Sequence, residues 1–419
     1  MYTSITLRRG FCAFLMAMAL IVAALTVRAQ DYTIVIKGGH VIDAKNNINE
    51  VMDVGIKDDK VVRVAKNIDA KGAQVIDAKG LFVTPGVIDI HSHNFYGTEE
   101  DHYLSNGFVA LPPDGFTFRT GVTTVADAGG AGWKNFTKFR DQTIKHSDTR
   151  VFSFLNIVGE GMRGGPWEQN LSDMDAKMTA TVVKANKNEI VGIKVAHYVG
   201  KEWDPVDRAV EAGTEANVPV MIDFGGNNPP LSIEDLFMKH LRPGDIFTHC
   251  FAQLGSRESI VDDAGKLKDF VVAAQKRGII FDVGHGGGSF RFSQAVPAIK
   301  AGFIPNTIST DFHTGSMNAG MKDQLNVMSK FLNMGMTVQQ VMAASTWHPA
   351  KAIKHEELGN LSAGSVADVA VFSLKKGKFG FIDSSGFRMD GDQKLECEVT
   401  LRNGQVVWDL NGISRPGWK

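Results

Sequence analysis

Eight short apolar runs alternate with helical stretches in the middle of this 419-residue chain. The runs have the length of buried strands and centre on Val87–Ile90, Thr123–Ala126, Val151–Ile157, Ile190–Val195, Val218–Phe224, Ile246–Cys250, Ile279–Val283 and Thr307–Thr310. This rhythm, over about 270 residues, is typical of an α/β protein in which eight strands close into a (β/α)8 TIM barrel. The alternative is an open doubly wound sheet, which normally carries a glycine-rich phosphate-binding turn after its first strand.

The two ends of the chain have a different pattern. Residues 30–83 and 358–419 contain short β segments broken by turn residues, such as the Asn403-Gly404 pair that favours a tight hairpin. We expect the two ends to pair into one small β-sandwich domain. The barrel would then occupy residues 84–357.

The first 29 residues have the composition of a targeting segment. Arg8 and Arg9 precede an apolar stretch from Phe11 to Val27, and Val27-Arg28-Ala29 resembles a cleavage site. We interpret residues 1–29 as a signal peptide, so the mature protein is expected to be periplasmic or secreted, with no stable membrane association after cleavage. An uncleaved membrane anchor is the alternative.

The charge balance indicates the class of partner. The chain has 45 Lys and Arg residues against 46 Asp and Glu residues, a formal net charge of −1. Proteins that bind nucleic acid usually carry a basic patch or stripe, and none is evident here. We therefore expect a small-molecule substrate and no nucleic acid, and we leave a homo-oligomer open.

The first apolar run of the barrel ends in two histidines, His91 and His93. Residues i and i+2 of a strand point to the same face, so both imidazoles would project together from the strand's carboxyl end. This spacing suits a pair of metal ligands. The alternative is a pair of hydrogen-bonded core or surface histidines.

The other predicted strands also end in residues that can bind metal. The carboxyl ends of barrel strands converge on one face, so residues far apart in sequence can form one site. His249 could donate an imidazole nitrogen or be a core histidine. Asp311 could bind metal and accept a proton from water, or could cap a helix.

Lys194 lies inside an apolar run. Burial shifts a lysine toward the neutral amine, and a neutral amine can react with carbon dioxide to give an anionic carbamate. Such a group could bridge two metals. Alternatively, the side chain extends to solvent or pairs with a carboxylate.

Two glycine-rich loops are candidate substrate contacts. His285 and Gly286 lie in the loop after the seventh run, where glycine permits close approach of a ligand. Arg163, in the loop after the third run, could bind a substrate carboxylate or be a solvated charge. A plain flexible turn is the alternative for the seventh-run loop.

Several stretches together resemble one known family. They are Thr84–His93, Gly121–Val125, Gly192–Val195, Arg242–Asp245, His249–Phe251, Asp282–Gly286, Ser309–Asp311 and Leu361–Asp368. The chain is similar to the amidohydrolase superfamily, most closely its deacetylase-like branch, which is related to dihydroorotases and D-aminoacylases. The resemblance implies a (β/α)8 barrel with a flanking β-sandwich and a site for two metals, usually zinc.

The resemblance also implies roles for individual residues. His91, His93 and Asp311 would hold the first metal, His249 the second, and Lys194 would bridge them as N6-carboxylysine. At the end of the fifth strand the family has a histidine, whereas this chain has Asp223.

Asp223 can bind a metal through oxygen, or it can turn away to cap a segment. An oxygen ligand would also suit manganese or another divalent metal. The sequence therefore leaves open whether one or two metals are bound.

The implied function is a metal-dependent hydrolase of an amide, cyclic amide or ester. A metal-bound hydroxide would attack the carbonyl carbon, and Asp311 would act as general base and then as general acid. A non-catalytic periplasmic barrel that binds a small molecule is one alternative, and a deaminase of the same superfamily is another.

Overall fold

The computed structural model describes residues 31–96, 109–223 and 230–418. The predicted signal peptide and Phe224, the last residue of the fifth predicted strand, lie outside these ranges. Within them, no helix is both long and apolar enough to cross a lipid bilayer.

The strands fall into three groups along the chain. The first comprises β1 Ile34–Asp43, β2 Ile48–Lys57, β3 Lys60–Ala65, β4 Gln74–Asp77 and β5 Phe82–Pro85. The second comprises β6 Val87–Ser92, β7 Val122–Gly132, β8 Arg150–Asn156, β9 Ile190–Val195, β10 Val220–Ile222, β11 Ile246–Phe247 and β12 Ile280–Phe281. The third comprises β13 Val369–Ile382, β14 Arg388–Arg402 and β15 Gln405–Asp409.

The helices lie mainly between the strands of the second group and after them. The α-helices are α1 Phe136–Phe139, α2 Ala176–Ala185, α3 Asp204–Ala216, α4 Ile233–Asp235, α5 Asp269–Arg277, α6 Phe292–Lys300, α7 Thr314–Asn318, α8 Gln324–Asn333, α9 Val338–Ser345 and α10 Trp347–Ala352. Short 3-10 helices span Phe118–Thr120, Gly165–Gln169 and Leu171–Asp173, and π-helical turns span Arg140–Ile144 and Leu236–His240.

The second group of strands forms a curled parallel sheet in the order of the chain, from β6 to β12. Every residue of β6 and of β9 is buried, because helices cover one face and side chains fill the other. All seven strands therefore end on the same side of the sheet, and the side chains that follow them are brought close together.

The segment from Thr307 to Phe312 lies between the two edges of this sheet. Thr307 makes a parallel bridge to Asp282, and Phe312 makes one to Ser92. The eighth predicted strand is thus not a regular strand. The reason is a side-chain acceptor, since Asp89 Oδ1 accepts the hydrogen bond from Thr310 N at 3.1 Å that a ladder partner would otherwise accept.

The first and third groups of strands form one further sheet. Its order is β15-β14-β13-β5-β1-β2-β3, with β4 paired to β1. Strands from the two ends of the chain meet where β13 pairs antiparallel with β5. In this pair, Val369 of β13 lies opposite Pro85 of β5. Strands from both ends of the chain are therefore joined edge to edge in one hydrogen-bonded sheet, and their description as a separate β-sandwich domain stays a prediction.

Candidate metal centre

A cavity of about 540 Å³ opens at the carboxyl ends of the parallel strands. The polar and charged side chains that line it include those of His93, Asp127, His197, Asp223, His249, Arg257, Asp311 and His313. Apolar walls come from Phe95, Val109, Met162, Val199 and Leu254. A concave site with a few convergent polar groups is the usual setting for small-molecule chemistry.

His91 is fully enclosed at the floor of this site. Its Nδ1 lies 2.7 Å from Thr248 Oγ1, which in turn donates to Asp282 Oδ2 at 2.7 Å, so we assign the ring proton to Nδ1. Burial and the nearby Lys194 lower the pKa of His91 to about 3. The ring is therefore neutral, and its Nε2 lone pair faces the site.

Asp311 lies next to both histidines of the His-x-His pair. Its Oδ1 is 2.8 Å from His93 Nε2 and 3.5 Å from His91 Nε2. Burial on its own raises the pKa of Asp311, but His91, His313 and His93 lower it well below the ordinary value. The side chain is thus a carboxylate at neutral pH.

The donor set fits a divalent cation. His91, His249 and Asp311 are all buried, and each offers a ligand atom within 4.8 Å of the others. His249 donates from Nδ1 to the carbonyl oxygen of Gly284, which leaves Nε2 as the ligand atom. Two imidazole nitrogens and a carboxylate are a common donor set for zinc and similar metals.

Lys194 lies beside this cluster, with its Nζ 3.2 Å from His91 Nε2 and 3.8 Å from Met221 Sδ. The side chain is fully buried, so it does not extend to solvent. Its stem passes close to Gly129, where a Cβ would lie only 2.6 Å from Lys194 Cγ. Burial lowers the pKa of Lys194, against the opposing effect of Asp223 and other carboxylates. The amine is therefore biased toward its neutral, nucleophilic form.

Asp223 faces the site rather than capping a neighbouring segment. Its Oδ2 is 3.3 Å from His249 Nε2 and 3.4 Å from His197 Nε2. Burial on its own raises the pKa of Asp223, but His249 and His197 lower it well below the ordinary value. An anionic oxygen is thus available beside the His91, His249 and Asp311 cluster.

His285, a predicted substrate contact, lies beneath the glycine-rich loop. It stacks on Phe290, with ring centroids 4.3 Å apart, and is fully buried. Its Nδ1 donates to Gly286 O at 2.8 Å, and its Nε2 accepts from Lys330 Nζ at 2.6 Å. The prediction for His285 is therefore corrected, because both ring nitrogens are engaged by the protein and the cavity wall is formed by Gly287, Gly288 and Ser289.

Arg163, the other predicted contact, also points elsewhere. It lies 3.3 Å from Glu160 and 4.4 Å from the centre of the Trp167 ring, beside a separate surface depression. The cavity wall instead contains Arg257, whose Nη2 donates to Thr248 O at 2.8 Å. Burial lowers the pKa of Arg257 to about 10, so the guanidinium remains a cation at neutral pH.

Two supporting carboxylates were not predicted. Asp282 accepts from Thr248, Thr307 and Ser309 and thereby ties three strand ends together. Asp127 lines the cavity and accepts from the backbone N–H groups of Asn94, Phe95 and Gly130. Asp127 directly follows one predicted run and Asp282 is near the end of another, so the strand-end argument that identified His249 and Asp311 could have identified them too.

Gly286 provides the space that Asp311 occupies. A Cβ at Gly286 would lie 2.5 Å from Asp311 Oδ2, and the residue has φ +58°. We expect Gly286→Ala to lower the free energy of unfolding by about 1–3 kcal/mol and to reduce kcat by displacing Asp311. Thermal unfolding and steady-state kinetics measure both effects. Gly288→Ala is the stability control, because its Cβ would meet open space; equal Tm values for the two variants would contradict the prediction.

Comparison with known proteins agrees with this geometry. A model of the amidohydrolase family matches residues 292–407. A deacetylase of Brucella anthropi is 34% identical over 339 residues, which cover 79% of this chain and 81% of the relative. The chain belongs to the amidohydrolase family.

One further relative and two solved structures are also similar to this amidohydrolase over most of its length. A deacetylase of Enterococcus faecalis is 29% identical over 90% of this chain and 99% of its own length. Among solved structures, an adenine deaminase superposes with a TM-score of 0.81 at 28% identity, over 91% of this chain and all of that one. A dihydroorotase superposes with a TM-score of 0.78 at 29% identity, over 90% and 99%.

The predicted resemblance is therefore confirmed, and this amidohydrolase is a metal-dependent hydrolase that acts on carbon–nitrogen bonds.

Proposed function

We propose that this protein is a deacylase that removes an acyl group from a small molecule, with an amide as the first choice of bond and an ester or cyclic amide as close variants. The observation that carries the proposal is the buried cluster of His91, His249 and Asp311 at the cavity floor. The two relatives named as deacetylases support the choice of reaction.

With two metals bound, the cluster of His91, His249 and Asp311 would be divided between them. His91 and Asp311, with His93, would hold the first divalent metal, and His249, with Asp223, would hold the second. Zinc is our first choice, and the oxygen ligand Asp223 also suits manganese. A bound metal of this kind polarises a carbonyl group and lowers the pKa of water.

Lys194 is proposed to carry a carbamate as N6-carboxylysine and to bridge the two metals. Its burial, its lowered pKa and its separation of 3.2 Å from His91 Nε2 support this assignment. A neutral amine can react with carbon dioxide to form an anionic carbamate, which would serve as a ligand for both metals. The charge of the metals then compensates the buried carbamate.

Asp311 is proposed to move the proton. His91, His313 and His93 keep its pKa low, so the group is a carboxylate: Oδ1, 2.8 Å from His93 Nε2, would bind the first metal, and Oδ2 could accept a proton from the attacking water. The carboxyl group then returns that proton to the leaving nitrogen. The base and the acid of the reaction are thus one residue at two stages.

The substrate is proposed to be small and anionic. The cavity volume of about 540 Å³ suits a small molecule. Arg257 is the one arginine among the described residues that line it, and guanidinium groups bind carboxylates well. N-acyl amino acids combine both properties.

Three further features belong to the same proposal. The parallel sheet is inferred to close as a (β/α)8 barrel, with Thr307–Phe312 as its irregular eighth strand, supported by the bridges to Asp282 and Ser92. The protein is proposed to be periplasmic or secreted after removal of residues 1–29, supported by the composition of that segment. It is proposed to act on small molecules without nucleic acid or stable membrane association, and whether it forms homo-oligomers is left to measurement.

A substrate panel tests the proposed function. Purified protein loaded with zinc or manganese is incubated with N-acetyl amino acids, their carboxamide analogues, O-acetyl hydroxy acids and cyclic amides, and release of acetate, amine and ammonia is measured. We expect release of acetate, a preference of at least tenfold for the free acids, and loss of turnover after metal removal by a chelator. Release of ammonia without acetate, or binding without turnover, would contradict the deacylase proposal.

A further inference from the structure

His197 has the same left-handed backbone conformation as two of the proposed metal ligands, His249 and Asp311. It follows β9 by two residues and has φ +55°, close to +54° at His249 and +53° at Asp311. Residues other than glycine rarely adopt this left-handed conformation, and such strain is concentrated at functional sites. His197 was not predicted from the sequence, because it lies beyond the end of the apolar run.

The imidazole of His197 is held by a buried carboxylate on one side and faces Asp223 on the other. Its Nδ1 donates to Glu168 Oε2 at 2.9 Å, and Glu168 is only 2% exposed. Glu168 Oε1 in turn accepts from Gly164 N at 3.1 Å. A carboxylate bonded to the remote ring nitrogen is the usual support for a histidine that binds metal through its other nitrogen.

His197, Asp223 and His249 all line the cavity; His197 Nε2 lies 3.4 Å from Asp223 Oδ2, and His249 Nε2 lies 3.3 Å from the same oxygen. Both separations are longer than an ordinary N–H···O hydrogen bond of about 2.7–3.2 Å. They match the spacing of about 3.0–3.4 Å between adjacent ligands of one metal with bonds of about 2.1 Å.

We propose that His197 is a ligand of the second metal, together with Asp223 and His249. The inference rests on the proposed function. It accounts for the aspartate at the end of β10: the imidazole expected there is supplied instead from the loop after β9, three residues beyond Lys194. The second metal then keeps two imidazole ligands and gains an anionic oxygen.

The two carboxylates that flank the ring, Asp223 and Glu168, favour a divalent cation at this position, because they supply negative charge next to the imidazole. The competing role is a permanently protonated His197 that only joins two carboxylates, and metal binding distinguishes the two roles.

The test compares metal binding in His197→Ala, Glu168→Gln and the wild type. Each protein is stripped and reloaded with zinc, and stoichiometry and affinity are measured by elemental analysis and calorimetric titration. We expect His197→Ala to retain one zinc and to bind the second at least 100-fold more weakly, whereas Glu168→Gln weakens the second site by about 10–100-fold.

His240→Ala is the matched control, because His240 Nδ1 also pairs with a carboxylate, Asp207, at 2.6 Å and lies outside the cavity. It should bind both metals as the wild type does. Circular dichroism checks that each variant is folded. Two zinc ions bound with wild-type affinity by folded His197→Ala would overturn the inference, and continued deacylation in the substrate panel would show that the proposed function stands without it.

Discussion

Asp311→Asn should lower kcat/KM for amide hydrolysis by about 10²–10⁴-fold, the usual contribution of a general acid–base group. Asparagine has nearly the same shape as aspartate, so the contact with His93, 2.8 Å in the wild type, can persist. The amide cannot accept and return a proton, and it also removes the negative charge that faces His91 and His93. Steady-state kinetics on the best substrate of the panel measure the loss.

Asp53→Asn is the control for this variant. Asp53 is also a buried aspartate with a hydrogen-bonded partner, Lys37 Nζ at 2.6 Å, but it lies in β2 of the other sheet. Its replacement should reduce stability and leave kcat/KM within about twofold. If Asp311→Asn kept more than a tenth of wild-type turnover with full metal content, another group would have to move the proton.

Strand ends were the predictable part of the site. The sequence predicted five site residues from the ends of the strands: His91, His93, Lys194, His249 and Asp311. This was possible because a parallel sheet brings the carboxyl ends of its strands together, independently of the conformation of the loops. That argument needs only the order of apolar runs and the residue at the end of each. The structure places all five side chains around one cavity or directly beneath it.

Loop side chains were not predictable in the same way. His285 turns inward because Lys330, 45 residues later in the chain, offers a hydrogen bond to its Nε2. Arg163 turns away because Glu160 and Trp167 are close in its own loop. The residue types in a loop therefore do not reveal whether a side chain points into the cavity or away from it. That direction depends on partners that come close only in the folded chain.

The sequence pattern predicted a regular strand at Thr307–Thr310, but in the structure a side chain takes the place of a backbone hydrogen-bond partner there. The run Thr307–Thr310 has the composition of a strand, yet the backbone N–H of Thr310 donates to Asp89 Oδ1 and not to a carbonyl of a neighbouring strand. Side-chain acceptors compete with backbone pairing in this way, and they leave isolated bridges in place of a ladder. Asp89, which accepts the hydrogen bond from Thr310 N, thus helps to explain why the predicted eighth run forms isolated bridges and not a regular strand.

Lys194→Ala should reduce kcat by about 10³-fold or more, because it would remove the anionic ligand that the two proposed metals would share. Among the described residues, Lys194 is the one to which the proposal gives a ligand role for both metals, so its loss would weaken the binding of each and the polarisation of the substrate carbonyl. The residual cavity is bordered by His91 and Met221, which lie 3.2 and 3.8 Å from the lysine nitrogen. A short carboxylic acid such as propionate has the size and charge of the missing group.

Rescue separates a ligand role from a packing role. Added propionate with zinc should restore part of the activity of Lys194→Ala, together with metal content, because the acid occupies the position of the carbamate. Lys330→Ala is the matched control: Lys330 is also fully buried with a lowered pKa, about 7, but it donates to His285 and to Gly320 O rather than facing the metal cluster. Its defects should not respond to carboxylic acids. Equal responses of the two variants, or wild-type turnover and metal content in Lys194→Ala, would show that Lys194 serves only as a buried structural lysine.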